Sequence, residues 1–429
     1  MKGILFPSHR QFFNVSSNKM RLLTFFLILY SSACQTKNDT TEFYFPPQWE
    51  EQESVWLGWS VDSNIQKVHL QMAKALNTHV TLTILSRSDS VQMVALKQLA
   101  QDGIDTSTVK RFVHYIPNVF IRDAGPRFLK NKKGQLAIAD FGWNNYGYPK
   151  EFETYQFSDK RGEIDNSLAA QMNLRTITSS IVAEGGGIDI STSMLMCFKE
   201  TALQRNPGKS LEEIEKEYLR MYGKQKMIWL DKTPVMDKVI AGAKAGNYFG
   251  YGANGHIDEF ARFVNDSTIV LAQIDSLEKN NDPVSNIDYK ILKDNLAILQ
   301  KATDINGKPF HIIILPVPSY SLYVEKEILS DSMKNNGDGK ILFKNFNTGQ
   351  EICWLPAVSY LNFFISNNTV LVPKYWQPGL PVTERMKDEK VKEALQILFA
   401  NKEIIQINAL GLNKNGGGMH CASQQQPKR

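Results

Sequence analysis

Cysteine is scarce here, four in 429 residues, and none falls in a CxxC pair or a Cys/His cluster. That excludes the usual structural zinc sites and leaves the mature domain without an obvious disulfide framework. Charge of one sign is also scarce. The net charge is only +5, much of the basic excess lies near the N-terminus and in Lys428-Arg429, and no basic stripe is interleaved with aromatics. Nucleic acid is therefore not an expected partner. The chain has no Pro/Ser-rich linker either, so one large domain is expected, and 42% hydrophobic with 10% aromatic residues suffices for a sizeable core. The apolar run Leu22–Tyr30 is about half the ~20 residues that a membrane-crossing helix needs.

That run has its own grammar. Lys2, Arg10, Lys19 and Arg21 precede it, and Ser31-Ser32-Ala33-Cys34 follows. Basic, apolar and small residues in that order form a secretory signal, with a cysteine where bacterial lipoproteins are cleaved and lipidated. We expect a signal peptide of lipoprotein type over residues 1–33, lipid attachment at Cys34, a linker over 34–45 and a single domain over 46–429. The protein would be exported and anchored to a membrane, in the periplasm or at the cell surface. The alternative is an uncleaved extension on a cytosolic protein.

Beyond it, β-rich runs alternate with amphipathic helical patterns. The spacing predicts strands over His79–Leu85, Leu136–Trp143, Ser179–Ala183, Ser267–Gln273, His311–Val317, Asn368–Lys374 and Glu403–Ala409. It predicts helices over Asn64–Leu76, Ser90–Gln101, Ser210–Tyr222, Asp288–Lys301 and Lys387–Ala400, with Ser210 and Glu213 forming a capping box. Periodicity alone gives an α/β class and no more.

The chemistry begins at Gly416-Gly417-Gly418-Met419-His420-Cys421, where a lone thiol follows a glycine run that lets the backbone approach a ligand. A cysteine nucleophile needs an acid/base group and an orienting carboxylate brought in by the fold. Three segments offer them. Asp123 in Ile121-Arg122-Asp123-Ala124-Gly125-Pro126 is expected at a strand end, Glu184 precedes Gly185-Gly186-Gly187, and Gly255-His256-Ile257-Asp258 aims imidazole and carboxylate at one face if extended. Two carboxylates can hold a planar guanidinium while a thiolate reaches its central carbon. Each residue also has a structural alternative: Asp123 could pair with Arg122 or Arg127, Glu184 could cap the glycine turn, and Asp258 could be a turn carboxylate. Cys197 and Cys353 sit in apolar surroundings and read as small buried hydrophobes. His420, on the opposite face of a strand from Cys421, reads as structural.

From Pro46 to Pro427 the chain resembles the agmatine deiminases and bacterial-type peptidyl-arginine deiminases of the guanidine-modifying superfamily. The resemblance rests on Pro47-Gln48-Trp49-Glu50, Val55-Trp56-Leu57-Gly58-Trp59, the Asp123 and Glu184 segments, Gly255-His256-Ile257-Asp258, Ala261-Arg262-Phe263-Val264, Ser359-Tyr360-Leu361-Asn362-Phe363 and Gly416 to Pro427, in that order. It implies a five-bladed α/β propeller of pentein type with the active site on the central axis. It also implies that Cys421 attacks the guanidinium carbon, that His256 protonates the leaving nitrogen and then activates water, and that Glu184 orients His256. Asp123 and Asp258 would bind guanidinium nitrogens, Tyr146 and Asn362 would line the substrate, and no metal or organic cofactor is called for. Two departures bear on substrate: Asn254 stands where an acid usually precedes the Gly-His pair, and Tyr146 where a tryptophan is usual. The segment Asp231–Asn254 looks long and could be a lid or a surface insertion. The expected activity is deimination of agmatine to N-carbamoylputrescine and ammonia. Deimination of peptidyl-arginine is the alternative, and a non-catalytic guanidino-binding lipoprotein is the reading from another class.

Overall fold

Alternating strands and helices fold into one small unit, repeated. In the computed structural model, which describes residues 43–115, 119–152, 161–238, 243 and 245–429, the unit has a first strand antiparallel to a middle strand. A third strand runs parallel to the middle one, and a parallel return requires a crossover, supplied each time by helix. Blade 1 is Ser423–Pro427, Gln52–Gly58, Thr81–Ser86 and Lys110–Val113. Blade 2 is Arg127–Asn131, Leu136–Gly142 and Arg175–Val182. Blade 3 is Asp189–Ile190, Met194–Phe198 and Lys226–Leu230. Blade 4 is Ala261–Asn265, Thr268–Gln273 and His311–Pro316. Blade 5 is Phe364–Ile365, Thr369–Lys374 and Glu403–Asn408. The architecture is the five-bladed α/β propeller that the resemblance implied, and the C-terminal strand closes the ring by joining blade 1.

Middle strands are apolar runs because neighbours cover both their faces. Val55, Trp56 and Leu57 are fully buried, as are Val370, Leu371 and Val372, and all of Met194–Phe198 is buried. The first strands meet around the axis. Arg262 of blade 4 donates to Asp189 of blade 3 at 2.7 Å and to the Leu361 and Phe363 carbonyls ahead of blade 5 at 3.1 and 3.0 Å. Gln424 of blade 1 donates to the Pro126 carbonyl ahead of blade 2 at 2.9 Å.

Sequence and structure differ at informative places. The helix expected from Asp288 starts at Pro283, because Asp282 caps it and proline at the first turn costs no hydrogen bond. The helix expected from Lys387 likewise starts at Val382. The Ser210–Glu213 capping box forms on Leu211–Tyr222. Residues 1–42, with the expected signal and Cys34, lie outside the described residues. Of the expected linker, Phe43–Tyr44 pairs with Arg127–Asn131 and so belongs to blade 2. Cys197 and Cys353 are buried. Asp231–Asn254 is not one loop: Val235–Asp237 is a 3-10 turn, and Tyr248–Tyr251 is a strand parallel to Glu351–Pro356, which pairs with Glu325–Ile328. This extra sheet has its own core of Phe249, Leu329, Phe343 and Ile352.

Candidate active site

Every blade contributes to one place in the same way. The segment entering the first strand carries Asp123 in blade 2, Glu184 in blade 3, His256 and Asp258 in blade 4, Asn362 in blade 5 and Cys421 in blade 1. Five equivalent positions around a ring converge on its axis, so residues up to 298 positions apart become neighbours. Local conformation corrects the sequence reading in three places. Asp123 lies in the one-turn helix Ile121–Ala124 rather than at a strand end. His256 precedes the 3-10 turn Ile257–Glu259, so His256 and Asp258 do not share a strand face. Cys421 lies in a turn, and His420 faces the site: its Nδ1 is 2.6 Å from Asp258 Oδ2.

Glycine is required at two points. Gly186 donates its N–H to Asp123 Oδ1 at 3.1 Å. A Cβ there would stand 2.6 Å from His256 Nδ1 and 3.0 Å from carboxylate oxygens of both Asp123 and Asp258, so its absence keeps a space open between all three. Gly255, ahead of His256, has φ +119°, which disfavours any side chain.

Around the imidazole each acid has a fixed partner. His256 Nδ1 lies 3.6 Å from Asp123 and Nε2 3.6 Å from Glu184. Glu184 also takes the Arg205 Nε–H at 2.8 Å, and Asp123 takes the Tyr146 hydroxyl at 3.0 Å. Asp237 fixes the approach, accepting the backbone N–H groups of Gly255 at 2.5 Å and His256 at 2.8 Å. Burial alone would push the His256 pKa down, but Asp123 and Glu184 outweigh it and hold the imidazolium to about 9. Burial pushes Glu184 up, yet Arg205 and His256 outweigh it and bring the carboxyl down to about 2.

Around the sulfur Asp258 and Glu259 have no arginine partner, and each keeps one oxygen unpaired among the described residues. Cys421 Sγ receives the Asn362 Nδ2–H at 3.2 Å and lies 3.5 Å from Asp258 Oδ2 and 3.9 Å from Glu259 Oε1. Asn362 also donates to Glu259 at 2.9 Å and accepts the His420 N–H at 2.8 Å, which clamps the nucleophile turn. Burial first, then Asp258 and Glu259, pushes the thiol well above its ordinary range. Burial also raises Asp258 to about 7, only partly offset by His256. The donor atoms of Asp258, Glu259 and Cys421 lie within 4.8 Å of one another, close enough to share one cation.

All six expected site residues of the domain and Tyr146 are therefore drawn together, each under a tenth exposed. The structural alternatives fail. Arg127 pairs with Asp165, Arg122 donates to the His420 carbonyl and Gln425, and Glu184 faces Arg205 and His256. Sequence reasoning missed Arg205, Asp237 and Glu259, and read His420 as structural although its ring meets Asp258. Glu259 adjoins a quoted motif and could have been flagged as a titratable neighbour, and His420 lies within one; Arg205 and Asp237 sit in helical and turn segments with no motif to mark them. Tyr146 has φ +58°, an uncommon conformation for an aromatic, held where the distant Asn254 Nδ2 donates to its carbonyl at 3.0 Å. It floors a cavity of about 360 Å³ with Phe120, Tyr148, Arg161 and Tyr251 on its walls.

Comparison with known proteins agrees with this fold. The profile of the family described as Porphyromonas-type peptidyl-arginine deiminase matches residues 44–427. The agmatine deiminase of Pseudomonas savastanoi pv. phaseolicola is 24% identical over 405 residues, spanning 90% of this chain and 95% of the relative. Among solved structures, the agmatine deiminase of Enterococcus faecalis superposes with a TM-score of 0.69 at 21% identity, covering 91% of this chain and 98% of the other. A substrate-bound agmatine deiminase of C. jejuni gives 0.63 at 19% identity, covering 90% and 96%. At these identities the solved structures speak for a shared fold.

Proposed function

From the premise that the chain belongs to the Porphyromonas-type peptidyl-arginine deiminase family, a family of hydrolases acting on guanidino groups, we propose that it deiminates a guanidino substrate through Cys421. One observation carries the reading: a buried thiol lies 3.5 Å from a carboxylate, in a pocket whose imidazole stands between two further acids. Asp123 and Asp258 hold the guanidinium by charge-assisted hydrogen bonds, and the planar cation offsets their repulsion. With that cation in place the Cys421 thiol loses its proton to solvent buffer, helped by the Asn362 N–H, and the thiolate attacks the central carbon. The charged His256 gives its proton to the departing nitrogen, and ammonia leaves. Neutral His256 then takes a proton from water, which attacks the thiouronium carbon and releases the ureido product and the thiol. Glu184 keeps the imidazole charged and oriented, and Tyr146 fixes Asp123.

Agmatine, giving N-carbamoylputrescine and ammonia, is the substrate favoured by the relatives' names. A second reading has an observation of its own. The cavity outside the site carries the buried Arg161, whose Nη1 donates to Asn145 at 2.8 Å and whose Nε has no partner among the described residues. A cation there suits the carboxylate of arginine or of an arginine-ended peptide better than the ammonium of agmatine. Incubation with agmatine, arginine and arginyl peptides, followed by assay of ureido product, tests both. No product from any of them, with Cys421 intact, would overturn the proposal. The lipid anchor at Cys34 completes the proposal; incorporation of labelled fatty acid in the host, lost in Cys34→Ser, tests it.

A further inference from the structure

We propose that Glu259 is a third acid of the substrate pocket, ionised only when a cation is present, so that capture of a guanidinium group expels a proton from the Asp258–Glu259 pair. The inference rests on the deiminase reading and adds to it a residue outside the motifs that carry the resemblance.

Position comes first. Glu259 is 2% exposed. Its Oε1 takes the Asn362 N–H at 2.9 Å and stands 3.9 Å from Cys421 Sγ. Its Oε2 and Asp258 Oδ1 have no hydrogen-bond partner among the described residues. Ser359, the adjacent hydroxyl, donates to the Glu259 backbone carbonyl at 2.5 Å and, lying beside the carboxyl, favours its charged form against burial. Two carboxyl oxygens without a partner beside one nucleophile leave room for donors from outside the protein, because buried polar oxygens are otherwise paired.

The nearby arginines and His256 make their contacts elsewhere, although the charge of His256, Arg262 and Arg122 reaches Asp258, whose Oδ2 also meets His420 Nδ1 at 2.6 Å. Arg205 and His256 face Glu184, Arg262 faces Asp189, and Arg122 donates to the His420 carbonyl and Gln425. The titratable groups facing Glu259 are Asp258, Asp237 and Asp123, the Cys421 thiol, and Tyr320 and Tyr375 from the packed blades, none of which can compensate a negative charge. Burial first, then Asp258, raises Glu259 well above the carboxylate range. Both causes favour its neutral form in the resting pocket.

A guanidinium carbon must come within about 3.5 Å of sulfur to react. That brings N–H groups within reach of a carboxylate oxygen 3.9 Å from the same sulfur. The Glu259 O–H bond then breaks, its electron pair stays on the carboxylate, and the proton leaves to solvent buffer.

Calorimetric titration of the Cys421→Ala protein with agmatine and with methylguanidine, at pH 7 in two buffers of different ionisation enthalpy, counts the released protons. The form with Glu259 is expected to release up to one proton more than the same protein with Glu259→Gln, and its affinity is expected to rise up to tenfold more per pH unit. Equal proton counts in the two forms would overturn the proposal. Should Glu259→Gln fail to fold, Glu259→Asp, which keeps an ionisable group, is expected to retain the release, and its loss there overturns the proposal too. Ammonia release by the wild-type protein reads the deiminase activity separately. Turnover with equal proton counts sinks only the role of Glu259, and proton-linked binding without turnover sinks only the deiminase reading.

Discussion

The imidazole and sulfur halves of the pocket are built from similar residues and balanced in opposite ways. At His256, both acids are satisfied: Glu184 by Arg205, and Asp123 by Tyr146 and the Gly186 N–H. At Cys421, Asp258 and Glu259 each keep an orphaned oxygen, and the thiol sits among them without a cation of its own. In the first half the acids are paired and their charge, 3.6 Å from each ring nitrogen, keeps a proton on an imidazole that has no hydrogen-bond partner among the described residues. The second is short of positive charge, and a positively charged planar substrate is what completes it. A pocket built in this way ties reactivity to occupancy, since the thiolate is costly until the cation arrives.

The largest expected effect comes from removing the sulfur. Cys421→Ala should lower ureido product formation by at least roughly 10⁴-fold while substrate binding persists, because covalent chemistry has no substitute nucleophile here. Asn362→Ala removes the N–H aimed at sulfur and should slow turnover about 10²-fold, the usual cost of one donor to a developing anion. Alkylation of Cys421 by iodoacetamide should slow in parallel, and an unchanged rate would dissociate Asn362 from the sulfur half.

The imidazole half is tested through Arg205 and through pH. Arg205 and Glu184 are each 1% exposed, so Arg205→Met leaves a buried carboxylate short of its partner and should cost about 3–5 kcal/mol in denaturant unfolding. Because the folded pKa of His256 lies above its ordinary value, the imidazolium's stabilisation is complete below pH 6.5 and fades as pH rises through about 9. Turnover should fall along the same alkaline limb. Glu184→Gln should move that limb to lower pH, whereas a limb that stays in place would separate Glu184 from the imidazole. Glu184 itself has a depressed folded pKa, so its contribution is present above about 4.5 and is lost as pH falls towards about 2.

The smallest effect belongs to the other buried thiol. Cys197 also has a raised pKa, from burial and then Glu184, but it lies in the strand Met194–Phe198 with a backbone carbonyl as its contact. Cys197→Ser should leave turnover unchanged and cost about 1–3 kcal/mol of stability for a hydroxyl in an apolar strand. Measurable loss of turnover would mean that burial, rather than the acids and Asn362 around it, distinguishes Cys421.

What could be read in advance followed from local rules. Alternating β-rich runs and amphipathic helices gave the α/β class, and Ser210 with Glu213 marked a helix start before any coordinates. Glycines flanking Glu184, His256 and Cys421 marked turns in which reactive groups could be presented, and the resemblance supplied the number of blades. The turn geometry at Asp123, His256 and Cys421 was misjudged, since a strand's alternation was assumed where short helical turns point side chains differently. Arg205 and Asp237 carry no local signal of their roles, whereas Glu259 and His420 stand beside or within motifs that mark only their neighbours.

The amino-acid order by itself determined which segments become strands, which become helices, and which residue types stand at the entrance to each first strand, because propensity, capping and periodicity act within a few residues. Only the closed ring decided that those five entrances meet, and that Asp258 and Glu259 beside Cys421 each keep an unpaired oxygen while the acids beside His256 do not. Proximity and charge compensation depend on distances between atoms hundreds of residues apart, which no local pattern encodes.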